Sequence, residues 1–154
     1  MTERSVIHDT FCVERTYPAS PSRVFAAFAS KEAKDAWGDE EPAGGTAASS
    51  EFDFRPGGRE RFGFTYQSRT YTYDALYYDI VPDQRIVYSY EMYADGARIS
   101  VSVATIEFVP DGAGTRLILT EQGAYLDGLD TVAQREEGTR AILEQLAAYL
   151  VGTA

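Results

Sequence analysis

One histidine and one cysteine, His8 and Cys12, are the only residues of their types in this 154-residue sequence. Imidazole and thiolate groups commonly act as general bases, nucleophiles or metal ligands, but each needs partner groups to do so. Because no second histidine or cysteine exists, an internal disulfide and a metal site built from these residue types are excluded. We therefore predict that His8 and Cys12 are dispensable, that Cys12 is a small core residue within a strand, and that the protein binds no metal and no other cofactor.

Carboxylates are the remaining candidates for acid–base chemistry, because burial can raise the pKa of a glutamate towards the working pH of an enzyme. Five of them lie in predicted strands: Glu60, Asp74, Glu91, Glu107 and Glu121. Each alternates with apolar neighbours, which favours the solvent-facing side of its strand. No catalytic residue is therefore assigned, although Glu60 or Glu121 could act as an acid or base if it were buried.

Binding to phosphate groups, nucleic acids or membranes is not expected. The glycine pairs Gly44-Gly45 and Gly57-Gly58 lie in neither of the glycine-rich patterns that bind nucleotides. The formal net charge of −10 repels nucleic-acid backbones and anionic lipids. No apolar run approaches the roughly 20 residues that a membrane helix needs, and the first residues lack a signal-peptide pattern. These features predict a cytoplasmic protein without membrane insertion.

Aromatic residues are the unusual part of the composition, with 11 tyrosines, 8 phenylalanines and 1 tryptophan. A tyrosine combines an apolar ring with a hydrogen-bonding hydroxyl, so it suits surfaces that are partly packed and partly wet. The wall of a ligand cavity is one such surface, and a subunit interface is another.

The elements that would position these rings begin with one strand, two short helices and a long loop, predicted at 11–17, 21–29, 31–36 and 39–49. Ser20 is a suitable N-cap for the first helix, and Pro21 suits its first turn, where a missing N–H costs nothing. The loop has no apolar period, and loops of this length are often functional.

From residue 50 onwards the apolar residues alternate, which predicts six strands at 51–54, 61–66, 69–81, 85–93, 98–109 and 115–121. The turns between them are short, so neighbouring strands must be antiparallel. Apolar residues at three- and four-residue spacing then predict a helix over 130–151, capped by Asp130 or Thr131. We predict one domain over residues 1–154, because no internal repeat or second domain is evident.

Two strands have apolar residues on both faces. Within 98–109 the apolar residues change from odd-numbered to even-numbered positions, which predicts a β-bulge near Ala104-Thr105. Within 69–81 one face carries Tyr71, Tyr73 and Tyr77. The other face carries Leu76, Tyr78 and Ile80. One of these faces is expected to lie outside the core, and the exposed aromatic patch would suit a homodimer interface.

Four segments resemble the family named after the activator of heat-shock protein 90 ATPase. Residues 11–25 match its opening strand followed by Ala-x-Pro-x-x-Val-Phe, and 54–58 match its Arg-Pro-Gly-Gly turn. Residues 82–90 resemble its Pro-x-x-Arg-Leu-Val-Tyr-Thr-Trp strand, and 114–120 resemble its Gly-Thr-Arg-Leu-Thr-Leu-Thr strand. The segments keep the family's order and spacing, and the resemblance extends over residues 8–151.

The resemblance implies an α+β fold of the START-like helix-grip (SRPBCC) type, with a curved antiparallel sheet of about seven strands wrapped around the long C-terminal helix. This superfamily includes lipid carriers and polyketide cyclases and has no universal catalytic motif. The chain keeps only Trp37 of the family's usual tryptophan pair, and Gly138-Thr139 stands where the family often has Gly-Trp. The loss of these two rings leaves space near the last helix.

The favoured function is the binding of a hydrophobic or aromatic small molecule between the sheet and the C-terminal helix, because apolar hollows are the usual ligand sites. The predicted lining residues are Trp37, Phe62, Phe64, Tyr88, Tyr90, Leu143 and Leu146. One alternative is an enzyme of polyketide cyclase or hydrolase type that uses a buried carboxylate. The other is a chaperone-interacting module, which only the family name implies.

Overall fold

The computed structural model describes residues 3–38 and 47–152. Within these ranges the chain forms, in order, β1 (Val6–Tyr17), α1 (Pro21–Ala26), α2 (Lys31–Gly38), β2 (Ala47–Phe52), β3 (Arg59–Tyr66), β4 (Arg69–Val81), β5 (Arg85–Ala94), β6 (Ala97–Asp111), β7 (Gly114–Leu126) and α3 (Val132–Gly152). The strands pair antiparallel in one sheet with the order β1-β7-β6-β5-β4-β3-β2. The predicted α+β helix-grip fold is confirmed.

The helices begin at side-chain caps. Ser20 Oγ accepts a hydrogen bond from Arg23 N at 3.3 Å, and Thr131 Oγ1 accepts one from Gln134 N at 3.2 Å. Each cap satisfies a backbone N–H that has no partner within its helix. The first helix ends at Ala26, three residues before its predicted end.

The long helix α3 lies against one half of the sheet. It packs mainly on β1 and on α2. The hydroxyl of Tyr17 in β1 donates to the carbonyl of Leu143 in α3 at 3.0 Å, inside the core. This hydrogen bond fixes the helix to the first strand, which lies at the edge of the sheet far from β3 and β4. No helix in the described ranges is both long and apolar enough to cross a membrane.

The predicted loop over 39–49 is partly wrong, because β2 begins at Ala47. The sequence of this strand, Ala-Ala-Ser-Ser-Glu-Phe, carries no apolar alternation at its start, so pairing with β3 rather than its own pattern defines it. The remaining residues of that prediction, 39–46, lie outside the described residues.

The two strands with apolar residues on both faces differ from their predictions. In β4 the register shifts between Tyr77 and Asp79, so Tyr78 is exposed while Ile80 returns to the face of Tyr77 and packs against the core. Leu76, Tyr78 and Ile80 therefore do not share a face. The prediction that Tyr71, Tyr73 and Tyr77 share one face is confirmed by the unbroken register from Tyr71 to Tyr77.

The β-bulge predicted near Ala104-Thr105 in β6 is wrong. The pairing with β7 runs without a shift from Ser100 to Asp111, and the pairing with β5 shifts only at Met92/Tyr93. Ser100 and Ser102 share the buried face with Ala104, whereas Val101 and Val103 face solvent. The bulge was predicted from the positions of the apolar residues, but the buried positions at this end of the strand are occupied by serines.

Candidate functional site

The face of the sheet towards α3, called the inner face below, is divided into two halves. Over β1, β6 and β7 it is buried by apolar side chains that pack in one core with α1 and α3, and the core members of the sheet include Phe11, Val13, Ile106, Phe108, Leu117 and Leu119. Over β3, β4 and β5 most of the inner side chains remain only partly buried. Partly buried side chains of this kind, next to a packed core, offer a surface on which a small molecule can bind.

Five rings form this second half, and we call them the aromatic wall: Phe62, Phe64, Tyr71, Tyr73 and Tyr88. All five are partly buried. The cross-strand register places Phe62 opposite Tyr73 and Phe64 opposite Tyr71, with stacked ring centroids 4.9 Å and 5.1 Å apart. Such pairs of rings present flat apolar faces at low cost in side-chain entropy.

Tyr90 borders the wall on its side towards α3. Its ring centroid lies 4.9 Å from that of Tyr73 and 6.1 Å from that of Tyr88. Unlike the rings of the wall, Tyr90 is 5% exposed and therefore buried. It connects the apolar wall to a group of buried polar side chains.

The seven residues predicted to line a site fall into two groups. Phe62, Phe64 and Tyr88 lie in the aromatic wall, and Tyr90 borders it. Trp37, Leu143 and Leu146 lie in the packed core, with exposures of 4%, 1% and 0%. The indole of Trp37 packs edge-on against Phe28 and donates from Nε1 to the carbonyl of Ala27 at 2.7 Å.

A buried carboxylate lies directly behind Tyr90. Glu121 in β7 is 3% exposed, and its two oxygens accept hydrogen bonds from the Tyr90 hydroxyl at 2.9 Å and 2.8 Å. The guanidinium of Arg135 in α3 lies 3.7 Å from Glu121, and it donates to Tyr90, Ser100 and Asp130. We call these five residues, Tyr90, Ser100, Glu121, Asp130 and Arg135, the Glu121 cluster.

The electrostatics of the Glu121 cluster are set by burial. Burial raises the pKa of Glu121 above its ordinary value and outweighs the opposing effects of Arg135 and of the Tyr90 hydroxyl. Burial also raises the pKa of Tyr90 well above its usual value, so Tyr90 remains a neutral donor. Although burial opposes the charge of Arg135, the nearby Tyr90, Asp130 and Glu121 raise the pKa of its guanidinium. The cluster holds one cation between two acidic groups.

Two hydroxyls next to this cluster are buried without a hydrogen bond. Ser102 is 1% exposed and Tyr125 is 2% exposed, and within the described residues neither Ser102 Oγ nor the Tyr125 hydroxyl has a partner at hydrogen-bonding distance. The Ser102 hydroxyl also favours the charged form of Glu121 and so lowers the pKa of this residue, which places the hydroxyl close to that carboxylate although the pair does not reach hydrogen-bond geometry in the structure. Buried polar atoms of this kind are rare in proteins and call for an explanation.

A second buried carboxylate lies on β3. Glu60 is 6% exposed, and both of its oxygens accept hydrogen bonds from Lys34 Nζ in α2, at 2.7 Å and 2.8 Å. The hydroxyl of Tyr77 donates to the same group at 3.0 Å. The ammonium group of Lys34 also lies 5.6 Å from the ring centroid of Phe52. This ion pair joins α2 to the sheet beside the aromatic wall.

The prediction that Glu60 and Glu121 lie on the solvent face was wrong. Both face inwards because a cation from a helix, Lys34 or Arg135, neutralises each of them. The prediction that Cys12 is a core residue was also wrong, because Cys12 is exposed.

Ser100, Asp130 and Arg135 of the Glu121 cluster were not predicted as site residues, and neither were the two unpaired hydroxyls. One sequence signal could have found part of them. Ser100 and Ser102 have the same parity as Ala104, Ile106 and Phe108, so a continuous strand would have placed both serines inside.

The side chains described do not form an evident metal centre. In the described parts of the chain, no three residues among histidines, cysteines, aspartates and glutamates converge closely enough to hold an ion. The buried carboxylates instead have cations and tyrosine hydroxyls as partners. The arrangement can therefore position an apolar ring on the wall and a polar group at its border.

Comparisons with known proteins agree with this fold. Residues 18–151 match the model of the family described as Activator of Hsp90 ATPase homolog 1-like protein. A crystal structure of a protein from Rhizobium loti is 51% identical, with 94% of this chain and 99% of that chain covered and a TM-score of 0.86. A protein from Rhizobium leguminosarum is 39% identical, with 97% and 98% covered and a TM-score of 0.90.

A more distant structure, from Chromobacterium violaceum, is 26% identical over 92% of this chain and 96% of that chain, with a TM-score of 0.78. No curated protein matches this chain at a significant level.

Proposed function

This chain belongs to the family of Activator of Hsp90 ATPase homolog 1-like proteins, and from that membership we propose that it binds a hydrophobic or aromatic small molecule between the sheet and α3. One observation carries the proposal. The five rings of the aromatic wall stay partly buried on the inner face, whereas the inner face of β1 and β7 is packed beneath α3. A flat apolar molecule that covered the wall would remove these rings from water.

The proposal assigns different roles to the residues of the site. Phe62, Phe64 and Tyr88 contact the ligand with their ring faces, together with Tyr71 and Tyr73. Tyr90 forms the polar border. Trp37, Leu143 and Leu146 support the site from the packed core, where they hold α2 and α3 against the sheet.

A fluorescent probe tests this proposal. N-phenyl-1-naphthylamine is uncharged and aromatic, and its emission rises when it leaves water. We expect saturable binding to the wild-type protein and about tenfold weaker binding to Tyr73→Ala, because the variant loses one stacking surface and its apolar area. Tyr78→Ala is the matched control, since it removes the same ring from the same strand at a position that is 58% exposed.

Two results would contradict the proposal. One is no saturable emission increase with the wild-type protein. The other is an equal loss of affinity in Tyr73→Ala and Tyr78→Ala while both variants keep the wild-type circular dichroism and melting temperature.

The alternative functions have weaker support. A cyclase or hydrolase would use Glu121 as its acid or base, and the raised pKa of this residue favours that role. However, both oxygens of Glu121 already accept from Tyr90, and both oxygens of Glu60 accept from Lys34. A chaperone-interacting role follows from the family name alone, and the predicted loop 39–49, which together with an acidic surface patch would carry such a contact, lies mostly outside the described residues.

A homodimer formed through the opposite face of the sheet remains part of the proposal. Tyr78, Val101 and Val103 are exposed there by 58%, 38% and 43%. Val103 lies opposite Ser89, whose hydroxyl donates to that of Tyr78 at 3.4 Å, so these apolar residues are neighbours. An apolar patch of this kind suits the centre of a subunit interface.

A further inference from the structure

The two unpaired hydroxyls lie side by side at the border of the aromatic wall. Ser102 is the cross-strand partner of Tyr90 on β5, and Gly123 on β7 is its partner on the other side. The ring of Tyr125 covers Gly123, because a Cβ at that position would lie 3.0 Å from Tyr125 Cε2, Cζ and the hydroxyl oxygen. The glycine thus makes room for the Tyr125 hydroxyl beside Ser102.

From this arrangement we propose that Ser102 and Tyr125 form a polar subsite that takes an uncharged oxygen group, a hydroxyl or a carbonyl, of an aromatic ligand. The subsite rests on the proposed function, since the rest of the ligand lies on the aromatic wall. Each hydroxyl can both donate and accept a hydrogen bond, so together they can satisfy either kind of group. A ligand that supplies this group satisfies two buried polar atoms that otherwise cost free energy.

Tyr90 lies between the wall and the subsite. Tyr90 contacts Tyr73 of the wall at a centroid distance of 4.9 Å, and it shares its register position with Ser102. A fused two-ring molecule on Tyr73 can therefore direct one substituent past the edge of Tyr90 towards Ser102 and Tyr125.

Charge selects against ionised ligands. Arg135 already donates to Asp130 and lies 3.7 Å from Glu121, so the single cation is shared by two acidic groups. A carboxylate on the ligand would add a third acidic group in a buried position. An ammonium group would meet the guanidinium of Arg135, which is 10% exposed, as well as the carboxylate of Glu121, so repulsion by the first offsets attraction to the second. Burying an unpaired charge costs far more than burying a neutral group that forms hydrogen bonds.

The test compares three probes that share one ring system. Naphthalene has no polar group, 2-naphthol has a neutral hydroxyl at neutral pH, and 2-naphthoate has a carboxylate. Each is used to displace N-phenyl-1-naphthylamine from the wild-type protein at pH 7. The variants are Ser102→Ala and Tyr125→Phe, which each remove one hydroxyl. Tyr93→Phe is the control, because its hydroxyl lies near Arg98 on the exposed side of the sheet.

We expect the wild-type protein to bind 2-naphthol about fivefold to tenfold more tightly than naphthalene, and 2-naphthoate more weakly than 2-naphthol. Ser102→Ala and Tyr125→Phe should each remove most of the preference for 2-naphthol while leaving the affinity for naphthalene unchanged. Tyr93→Phe should keep the wild-type preference.

Equal affinities for naphthalene and 2-naphthol in the wild-type protein would overturn the subsite, as would a preference that both variants retain or 2-naphthoate binding as tightly as 2-naphthol. In each of these cases N-phenyl-1-naphthylamine still binds and the proposed function stands. If that probe does not bind to the wild-type protein, the proposed function itself fails, and the subsite fails with it.

Discussion

Replacing Arg135 with methionine tests whether the Glu121 cluster holds α3 on the sheet. Arg135 is 10% exposed and is the cation for Glu121, which is 3% exposed, and for Asp130, which is 11% exposed. Methionine keeps much of the apolar stem and removes the charged head, whose guanidinium carbon lies 5.4 Å and 5.8 Å from the ring centroids of Tyr90 and Tyr125. The variant therefore leaves two buried acidic groups without a cation, which typically costs about 3–5 kcal/mol.

Urea unfolding followed by circular dichroism measures this cost. With an m-value of about 2 kcal/mol per molar urea, the midpoint of Arg135→Met should fall by about 2 M. Arg140→Met is the matched control on the same helix, because its ion pair with Glu136 is 45% and 35% exposed, and pairs of this kind contribute at most about 1 kcal/mol. The double variant Arg135→Met/Glu121→Gln should regain part of the loss, since one uncompensated charge is gone.

The reasoning would be refuted if Arg135→Met lowered the unfolding free energy by no more than Arg140→Met does. Equal losses would mean that the buried acidic groups are neutral in the folded protein, or that water reaches them. The double variant separates these two explanations. If Glu121 is already protonated in the folded protein, Glu121→Gln should have no effect on stability in either the wild-type protein or Arg135→Met.

The remaining predictions concern backbone fit and pH. Gly58→Ala should lower the melting temperature by about 4–10 °C, because its Cβ would lie 2.1 Å from the carbonyl oxygen of Asp53. Gly138→Ala in α3 should raise the melting temperature, because nothing lies within 4 Å of the new methyl group and alanine favours helix. Differential scanning calorimetry checks both, and equal shifts would contradict the steric argument. Burial raises the pKa of Glu121 above 4.5, so the folded protein binds the extra proton and this residue's contribution to stability falls as pH rises above 4.5. Urea titrations at several pH values should therefore show that the wild-type protein loses stability relative to Glu121→Gln as the pH rises, by at most about 1.4 kcal/mol per pH unit. A difference in unfolding free energy that does not change with pH would contradict a raised pKa for Glu121.

Sequence patterns predicted most of the helices and strands, because alternation, helical spacing and capping depend on residues that are close together in the sequence. Alternation predicted the strands, residue type predicted the cap at Ser20, and Thr131 was one of the two residues predicted to cap α3. Short turns then required antiparallel neighbours, which left few ways to arrange the sheet. The order of the strands in space follows their order along the chain except for β1, which pairs with β7.

Patterns failed where the tertiary environment decides which face is buried. Valine is more apolar than serine, so the alternation of apolar residues in this strand predicted that Val101 and Val103 face the core. In the structure Ser100 faces inwards because its hydroxyl accepts a hydrogen bond from Arg135, a residue of α3. No local rule could supply that partner.

The same limit applies to the candidate site. The inward faces of Phe62, Phe64, Tyr88 and Tyr90 followed from alternation, so four of the seven predicted lining residues lie together at the wall. Alternation alone could not separate these partly buried rings from Leu143 and Leu146, which are equally apolar but fully packed. That difference depends on how far α3 extends across the sheet.

The position of the two buried ion pairs explains how the aromatic wall keeps its shape while it is only partly covered. The Tyr77 hydroxyl donates to Glu60, and the Tyr90 hydroxyl donates to Glu121. The rings of both tyrosines contact Tyr88 of the wall, at centroid distances of 5.9 Å and 6.1 Å. Because each carboxylate is fixed in turn by a cation from a helix, the rings on both sides of Tyr88 have little freedom to rotate. A ligand therefore meets rings that are already ordered, and less conformational entropy is lost when it binds.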